Sequence, residues 1–510
     1  MNAMSLITPR PLHESLVPHE RDAPTTIHVA AGLATTAQAE QLRAHVTSIF
    51  ALPIEPALPA DPADAPDHTT TTFTIEFTTP DGAAPTALEP TEVAGQEYEL
   101  TITADHARIT STGVGGWHYG ITALRRLITP ARTPATNPTP TTPNPTPTWT
   151  IHLGTVQDAP DLAWRGFSLD VARSFFPYAE LTRLIDLIAA YRFNVLHLHL
   201  TDDQGWRLES LALPALSDRG GITAVAGGRA GMLSQADYTH LQEYALARGI
   251  TVVPEIDIPG HTNAALNALP ELNRDGQAPD VYTGIEVGFS RIRTELPATL
   301  PFLRTVFTEL AGLTLGRYIH LGGDEAHQVP GEDYAQLVEA AQEVIATAGK
   351  VPLGWQEIAG ARLHQDTIMQ LWDRRSYPEA LMEHSRAGRR SILSPANRAY
   401  LDMSARPGQG IGVNWDTEFD LADAYDWDPR AAVPGLVPDT VVGVEATMWS
   451  EFVHHFDTLT TLILPRLVAI AEVGWTPQSA RSWEDFQARV EREARWWADA
   501  GLAFDEEGLA

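Results

Sequence analysis

NVLHLHL (194–200) runs straight into TDDQGW (201–206), and this pairing of a short apolar run with a polar close decides the fold. From Trp164 onward the same unit recurs, with helical runs between the copies. Candidate strands are Gly166–Val171, Asn194–Leu200, Thr251–Ile258, Tyr318–Gly322, Val351–Trp355, Thr367–Trp372, Ser391–Leu393 and Val441–Met448. Between them sit helical patterns such as Tyr178–Tyr191, Gln235–Ala247 and Tyr334–Ala348. Eight strands in β–α alternation predict an α/β fold, a parallel (β/α)8 TIM barrel over residues 160–510. No repeat of 20–50 residues is present, which argues against a solenoid.

Upstream, the period shortens to two. Phe73, Ile75 and Phe77 alternate with Thr and Glu, and Tyr98, Leu100 and Ile102 do the same, as half-buried strands require. WHYGITALRRLI (117–128) carries apolar residues at helical spacing after a Gly-rich turn. Residues 24–159 therefore read as a smaller α+β domain behind an N-terminal extension, 1–23. TPARTPATNPTPTTPNPTPT (129–148) is nearly pure Thr, Pro and Asn; its prolines remove backbone donors and its threonines offer little to bury, so it cannot form a core element. Strand alternation resumes at Trp149, Ile151 and Leu153, which places this segment as a long loop inside the first domain. The boundary then falls near Asp158–Leu162.

The 510 residues are 44% hydrophobic and 20% charged, the balance of a chain with a large core, which excludes disorder as the dominant state. A formal charge of −30 disfavours nucleic acid and anionic membrane surfaces, both of which need clustered cations. A neutral small molecule remains compatible. With no cysteine, disulfides, thiolate metal sites and cysteine nucleophiles are excluded. The first twenty residues hold no apolar run of signal-peptide length, and no stretch approaches a membrane span, so a soluble, cytoplasmic protein is expected.

Barrel chemistry gathers at the carboxyl ends of the strands, and there this sequence places its unusual residues. Arg165 begins the first barrel strand, which ends at Asp170 and Arg173. The second ends in Asp202-Asp203, the third in Pro259-Gly260-His261, the fourth in Gly322-Gly323-Asp324-Glu325. Trp355, Trp372 and Trp449-Ser450-Glu451 close the fifth, sixth and eighth, and Tyr400 and Asp402 follow the seventh. A lone acid at a strand end is more often a helix cap, and a lone tryptophan is more often packing. Acids and tryptophans converging from most strands suit a sugar instead, whose C–H faces stack on aromatic rings while carboxylates accept from its hydroxyls. Asp324-Glu325 is the sharpest feature. Neighbouring acids repel, so their pKa values separate and one can stay protonated. His197 and His199 lie two apart on one strand; a metal pair is one reading, and buried supporting histidines are the other.

Taken together, RGFSLDVAR (165–173), HLHLTDDQGWR (197–207), PEIDIPGHTNA (254–264), HLGGDEAH (320–327), GWQEI (354–358), YLDM (400–403) and TMWSE (447–451) resemble the β-N-acetylhexosaminidases of glycoside hydrolase family 20, especially the bacterial exo-acting members. The resemblance covers nearly the whole chain. It implies a non-catalytic α+β domain, a catalytic (β/α)8 barrel and no metal or cofactor. The implied reaction releases terminal β-linked N-acetylglucosamine or N-acetylgalactosamine from oligosaccharides or glycoconjugates, chitin oligosaccharides among them. It is retaining and uses the substrate's own acetamido oxygen as nucleophile, through an oxazolinium intermediate, outside the usual two-carboxylate scheme.

By motif position the resemblance makes Glu325 the general acid and then base, with Asp324 orienting the acetamido group and Tyr400 bonding its oxygen. Trp355, Trp372 and Trp449 would surround the acetamido methyl and the ring. Arg165 and Glu451 would bind ring hydroxyls, Asp402 the outer hydroxyls, and Trp415 would cover the aglycone side. Asp202 and His261 would tune Glu325. Two alternatives remain on the sequence: a metal-dependent barrel hydrolase built on His197, His199 and a strand-end acid, and a non-catalytic sugar-binding barrel.

Overall fold

The computed structural model describes residues 7–22, 24, 26–31, 35–50, 54–55, 72–130, 148–375 and 379–509. In the first domain the strands are β1 (His13–Asp22), β2 (Thr26–Ala30), β3 (Ile54–Glu55), β4 (Thr72–Thr78), β5 (Tyr98–Ile102), β6 (His106–Thr110), β7 (Ile128–Pro130) and β8 (Thr148–Asp158). They form one mixed sheet in the order β1-β8-β5-β6-β4-β2-β3, with β7 also on β8. The helix Val114–Leu127 packs against β5 and β6. It approaches closely because a Cβ on Gly116 would fall 2.1 Å from the Glu97 carbonyl, and one on Gly120 would fall 2.4 Å from Ile109.

One expectation for this domain is adjusted. The stretch read as an N-terminal extension is largely the edge strand β1, antiparallel to β8 from His13↔Gln157 to Asp22↔Thr148. Its polar composition and Pro18 hid it, and an edge strand tolerates both. Of the Thr/Pro segment 129–148, residues 131–147 lie outside the described residues. Its flanks belong to one sheet, since Ile128 pairs with Ile151.

The second domain is a closed barrel of eight parallel strands: β9 (Trp164–Asp170), β10 (Val195–His199), β13 (Thr251–Glu255), β14 (Tyr318–His320), β15 (Val351–Trp355), β16 (Ile368–Leu371), β17 (Ser391–Leu393) and β18 (Val441–Met448). A small hairpin of β11 (Thr201–Asp202) and β12 (Gly205–Trp206) lies beyond β10. Alternation sorts the faces. At the lower end Trp164, Val195, Val253, Leu353, Ile368 and Ile392 cluster as an apolar layer. Two residues further along β10, His197 meets charged partners, and His199 follows on the same side. The interior thus becomes polar toward the carboxyl ends, where the loops build the site. Among the described residues, no helix is long and apolar enough to cross a membrane.

Candidate active site

Beneath the mouth of the barrel lies a fully buried chain of hydrogen bonds. Glu255 stands 2.7 Å from His199 Nδ1 and 2.9 Å from His320 Nδ1, and it accepts from the Trp355 indole at 2.8 Å. His197 lies 2.8 Å from Glu445 and 3.1 Å from Glu255. Burial pushes Glu255 up, but His320 and His199 outweigh it and hold the carboxyl well below the usual range. Burial likewise opposes charge on His197, yet Glu445 and Glu255 raise it to about 9. His197, Glu255 and His320 bring potential ligand atoms within 4.8 Å of one another. His197 and His199, for which the sequence left metal ligation and buried support both open, contact carboxylates through both ring nitrogens, as a charged floor for the site.

His199 connects this floor to the catalytic level. Its Nε2 lies 2.8 Å from Asp202, whose other oxygen is 3.2 Å from His261 Nδ1. His261 Nε2 in turn lies 3.6 Å from both Asp324 and Glu325. Burial alone would discharge His261, but Asp202 and Asp324 hold it well above the ordinary imidazole value. Asp203, the other member of the acidic pair, turns away to Ser290 and to the Asn263 amide at 2.8 Å. Asp202, not Asp203, therefore faces His261.

The break after β14 puts two consecutive acids beside one imidazole. Gly322 and Gly323 have φ of 75° and 111°, and a Cβ on Gly322 would fall 1.7 Å from Asp257 Oδ1. Glu325 itself has φ 47°, uncommon for a residue with a side chain. Asp257 Oδ1 accepts the Gly323 amide at 3.0 Å. Burial and the charge of Asp324 push Asp257 well above the ordinary carboxylate value. The same two causes raise Glu325, which favours a protonated acid at the mouth of the site.

Above them opens a cavity of about 420 Å³, lined by Asp324, Glu325, Trp372, Tyr400, Asp402, Trp415, Trp449 and Glu451, and also by Arg173. Such a volume suits a small-molecule site, typically ~300–1,000 Å³. Trp372 and Tyr400 stack at 6.2 Å with 16° between planes, and Trp449 stands edge-on to Tyr400 at 6.1 Å. Trp415 is half-exposed and meets both Trp372 and Tyr400 edge-on. Asp402 Oδ1 and Asp324 Oδ1 are buried acceptors with no protein donor among the described residues. Both suit a donor carried by a ligand.

Two sequence-based assignments shift. Arg165 lies at the opposite end of the barrel, because it begins β9 rather than ending it. It is fully buried there and donates to Gln96 Oε1 at 2.8 Å and to the carbonyls of Leu162, Ala163 and Arg192. It joins the two domains and does not line the cavity. Arg173 does, from the turn where Asp170 accepts the amides of Ala172 and Arg173. Its guanidinium lies 2.9 Å from Asp202, 3.9 Å from Glu451 and 5.0 Å from the centre of the Trp449 ring. Trp355 also misses the cavity. Its N–H is bound to Glu255, and it supports Trp449 from below at 6.1 Å. Asp202 and His261 stand behind the lining, where they contact each other and His261 faces Glu325. Sequence reasoning also missed Ile285, Val287, Arg375, Val413 and Phe452, which line the mouth from irregular segments that carry no periodic signal.

An acid beside a charged imidazole, an aromatic box and carboxylates facing one cavity form a centre able to cleave a glycosidic bond. Comparison with known proteins agrees. The catalytic domain of glycosyl hydrolase family 20 matches residues 162–336 and 331–478. A β-N-acetylhexosaminidase of Cellulomonas fimi is 41% identical over 433 residues, covering 84% of this chain and 85% of its own. The solved structure of a family 20 β-N-acetylhexosaminidase from Streptomyces coelicolor A3(2) has TM-score 0.82 at 34% identity, over 98% of this chain and 97% of that one. A mutant Streptomyces plicatus β-hexosaminidase in complex with product (GlcNAc) has TM-score 0.84 at 35% identity, over 98% and 96%. The chain belongs to glycosyl hydrolase family 20 and is a β-hexosaminidase, a glycosidase that hydrolyses O-glycosyl bonds.

Proposed function

We propose that the enzyme removes terminal β-linked N-acetylglucosamine or N-acetylgalactosamine with retention, using the substrate's acetamido oxygen as nucleophile. The observation that carries this reading is the placement of Asp324 and Glu325 as neighbours, each 3.6 Å from His261 Nε2, beside the box of Trp372, Tyr400 and Trp449. A retaining enzyme with its own nucleophile sets its carboxyl groups ~5–5.5 Å apart across the anomeric carbon. Consecutive acids on one loop suit a division of labour on one side of the sugar.

Glu325 protonates the leaving oxygen as the acetamido oxygen attacks the anomeric carbon and the C–O bond breaks. The ring so formed is a cationic oxazolinium, whose N–H is held by Asp324 while Tyr400 bonds the acetamido oxygen. Glu325, now ionised, takes a proton from water, which opens the ring and returns the acetamide. Arg173, Asp402 and Glu451 hold the hydroxyls of the terminal sugar, and Trp415 covers the leaving group. The natural substrates are then N-acetylhexosaminide oligosaccharides, such as those from chitin, or glycoconjugates.

The test is a series of 4-nitrophenyl β-N-acetylglucosaminides carrying zero to three fluorines on the acetyl group. Fluorine weakens the attacking oxygen, so kcat should fall steeply along the series, and the matching β-glucoside should not be cleaved. A rate indifferent to fluorination, or equal cleavage of the glucoside, would replace this mechanism with one using an enzyme nucleophile.

A further inference from the structure

A second cavity, of about 580 Å³, opens between the first domain and the outer helices of the barrel. Its lining runs against the character of the chain. The protein carries −30 overall, yet six arginines line this cavity with only two acids. Arg125 and Arg126 come from the helix Val114–Leu127, Arg183 from Tyr178–Ala190, and Arg492 and Arg495 from Trp483–Asp499. Arg248 follows the helix Gln235–Leu246.

Both acids are already engaged. Glu493 accepts from Arg126 through both oxygens, at 2.9 and 3.0 Å, and also from the Tyr191 hydroxyl. Asp186 accepts from Arg248 and from the Tyr244 hydroxyl at 2.9 Å. Among the described residues, no carboxylate or carbonyl accepts a hydrogen bond from Arg125, Arg183 or Arg495; Arg183 lies 4.1 Å from the centre of the Phe456 ring. Burial, followed by the charge of Arg126, lowers Arg125 from its ordinary value, and Glu493 offsets them only in part. Leu187, Trp496 and Leu502 supply an apolar wall beside these cations.

We infer that this interdomain cavity binds a phosphate ester carried on a ring-shaped body, a sugar phosphate being the simplest of the class. Guanidinium forks match phosphate oxygens in bidentate pairs, and the Trp496 wall takes the ring face. The active-site cavity differs in character, since four carboxyl groups, Asp324, Glu325, Asp402 and Glu451, line it and suit sugar hydroxyls. The two sites therefore divide neutral from anionic sugars.

The experiment is calorimetric titration of the full chain with glucose 6-phosphate at fixed ionic strength, with glucose as the control. Saturable one-to-one binding of the phosphate ester and none of glucose is expected. Excess N-acetylglucosamine, which fills the active site, should leave that binding unchanged. The surface variant Arg183→Glu/Arg495→Glu should weaken binding at least tenfold, since it replaces two phosphate-facing cations with anions. Its melting temperature and its hydrolysis of an aryl N-acetylglucosaminide should stay at wild-type values. Arg125→Gln should weaken binding less, by losing one fork. No saturable binding to the wild type, displacement by N-acetylglucosamine, or equal binding by the double variant would each overturn the inference.

Discussion

His261 Nε2 stands 3.6 Å from Glu325 Oε2, so the charge on this imidazole acts directly on the acid at the mouth of the cavity. Asp202 fixes the other ring nitrogen at 3.2 Å and, with Asp324, keeps the ring charged. Burial and Asp324 raise Glu325, and His261 partly offsets them. Removing the cation in His261→Asn should therefore raise Glu325 further. Cleavage requires the protonated acid, so the alkaline limb of kcat/KM should move to higher pH while the maximum rate falls. A pH–rate profile of the variant checks this, and an unmoved limb would show that Glu325 does not sense His261.

Glu325→Gln should lower kcat by ~10²–10⁴-fold on oligosaccharides, the usual contribution of a positioned acid. Aryl glycosides with good leaving groups should suffer less in the first step, because they need less protonation. Asp324→Asn should cause a fall of comparable order, since it removes the charge proposed to face the acetamido nitrogen. Steady-state kinetics on both substrate types, with a thermal melt to verify folding, separates these effects from simple unfolding.

The barrel was legible because its strands announce themselves twice, as apolar runs and as polar closes. Val351–Trp355, Ser391–Leu393 and Val441–Met448 appear in the structure with the bounds read from sequence. Much of the cavity was legible for the same reason: Asp324, Glu325, Trp372 and Trp449 sit at or just past strand ends. Arg165 failed because the role implied by the resemblance was set on the first arginine of RGFSLDVAR, which begins its strand, and not on Arg173, which follows the strand's carboxyl end. Trp355 failed differently. It ends its strand, but its indole turns down to Glu255, a pairing between residues 100 positions apart that no local pattern reveals. Ile285, Val287 and Phe452 were beyond reach, since irregular loops carry no period.

The two arginines of the first barrel motif should separate cleanly by experiment. Arg173→Ala removes a cation that lines the cavity, so KM should rise and kcat/KM should fall by ~10–100-fold or more, from ~1.5–3 kcal/mol per charged hydrogen bond. Stability should fall as well, because buried Asp202 and Asp170 lose their cation, so the kinetic loss is the distinguishing readout. Arg165→Ala should lower stability without that kinetic loss. It strands the carbonyls of Leu162 and Arg192, at about 1–3 kcal/mol for each buried group left unpaired, and takes one donor from Ala163 O and Gln96 Oε1, which keep others. A lowered melting temperature with nearly wild-type kcat/KM is expected, and a specific loss of substrate binding in Arg165→Ala would reverse the assignment.

The charged floor predicts how stability varies with pH. Burial works against charge on His197, but Glu445 and Glu255 raise it to about 9, against ~6.5 for an unfolded histidine. A group raised on folding stabilises most below its unfolded pKa, and that stabilisation is lost as pH rises through the folded value. His197 should therefore contribute its full share below about pH 6.5, and lose it progressively up to about pH 9. The gap corresponds to about 3 kcal/mol, at ~1.4 kcal/mol per pH unit. Denaturant midpoints measured from pH 6 to pH 9.5 should fall in the wild type. In His197→Gln the starting stability should be lower and the fall shallower, because the proton whose loss drives it is gone. A variant with the wild-type slope would place the pH dependence elsewhere in the molecule.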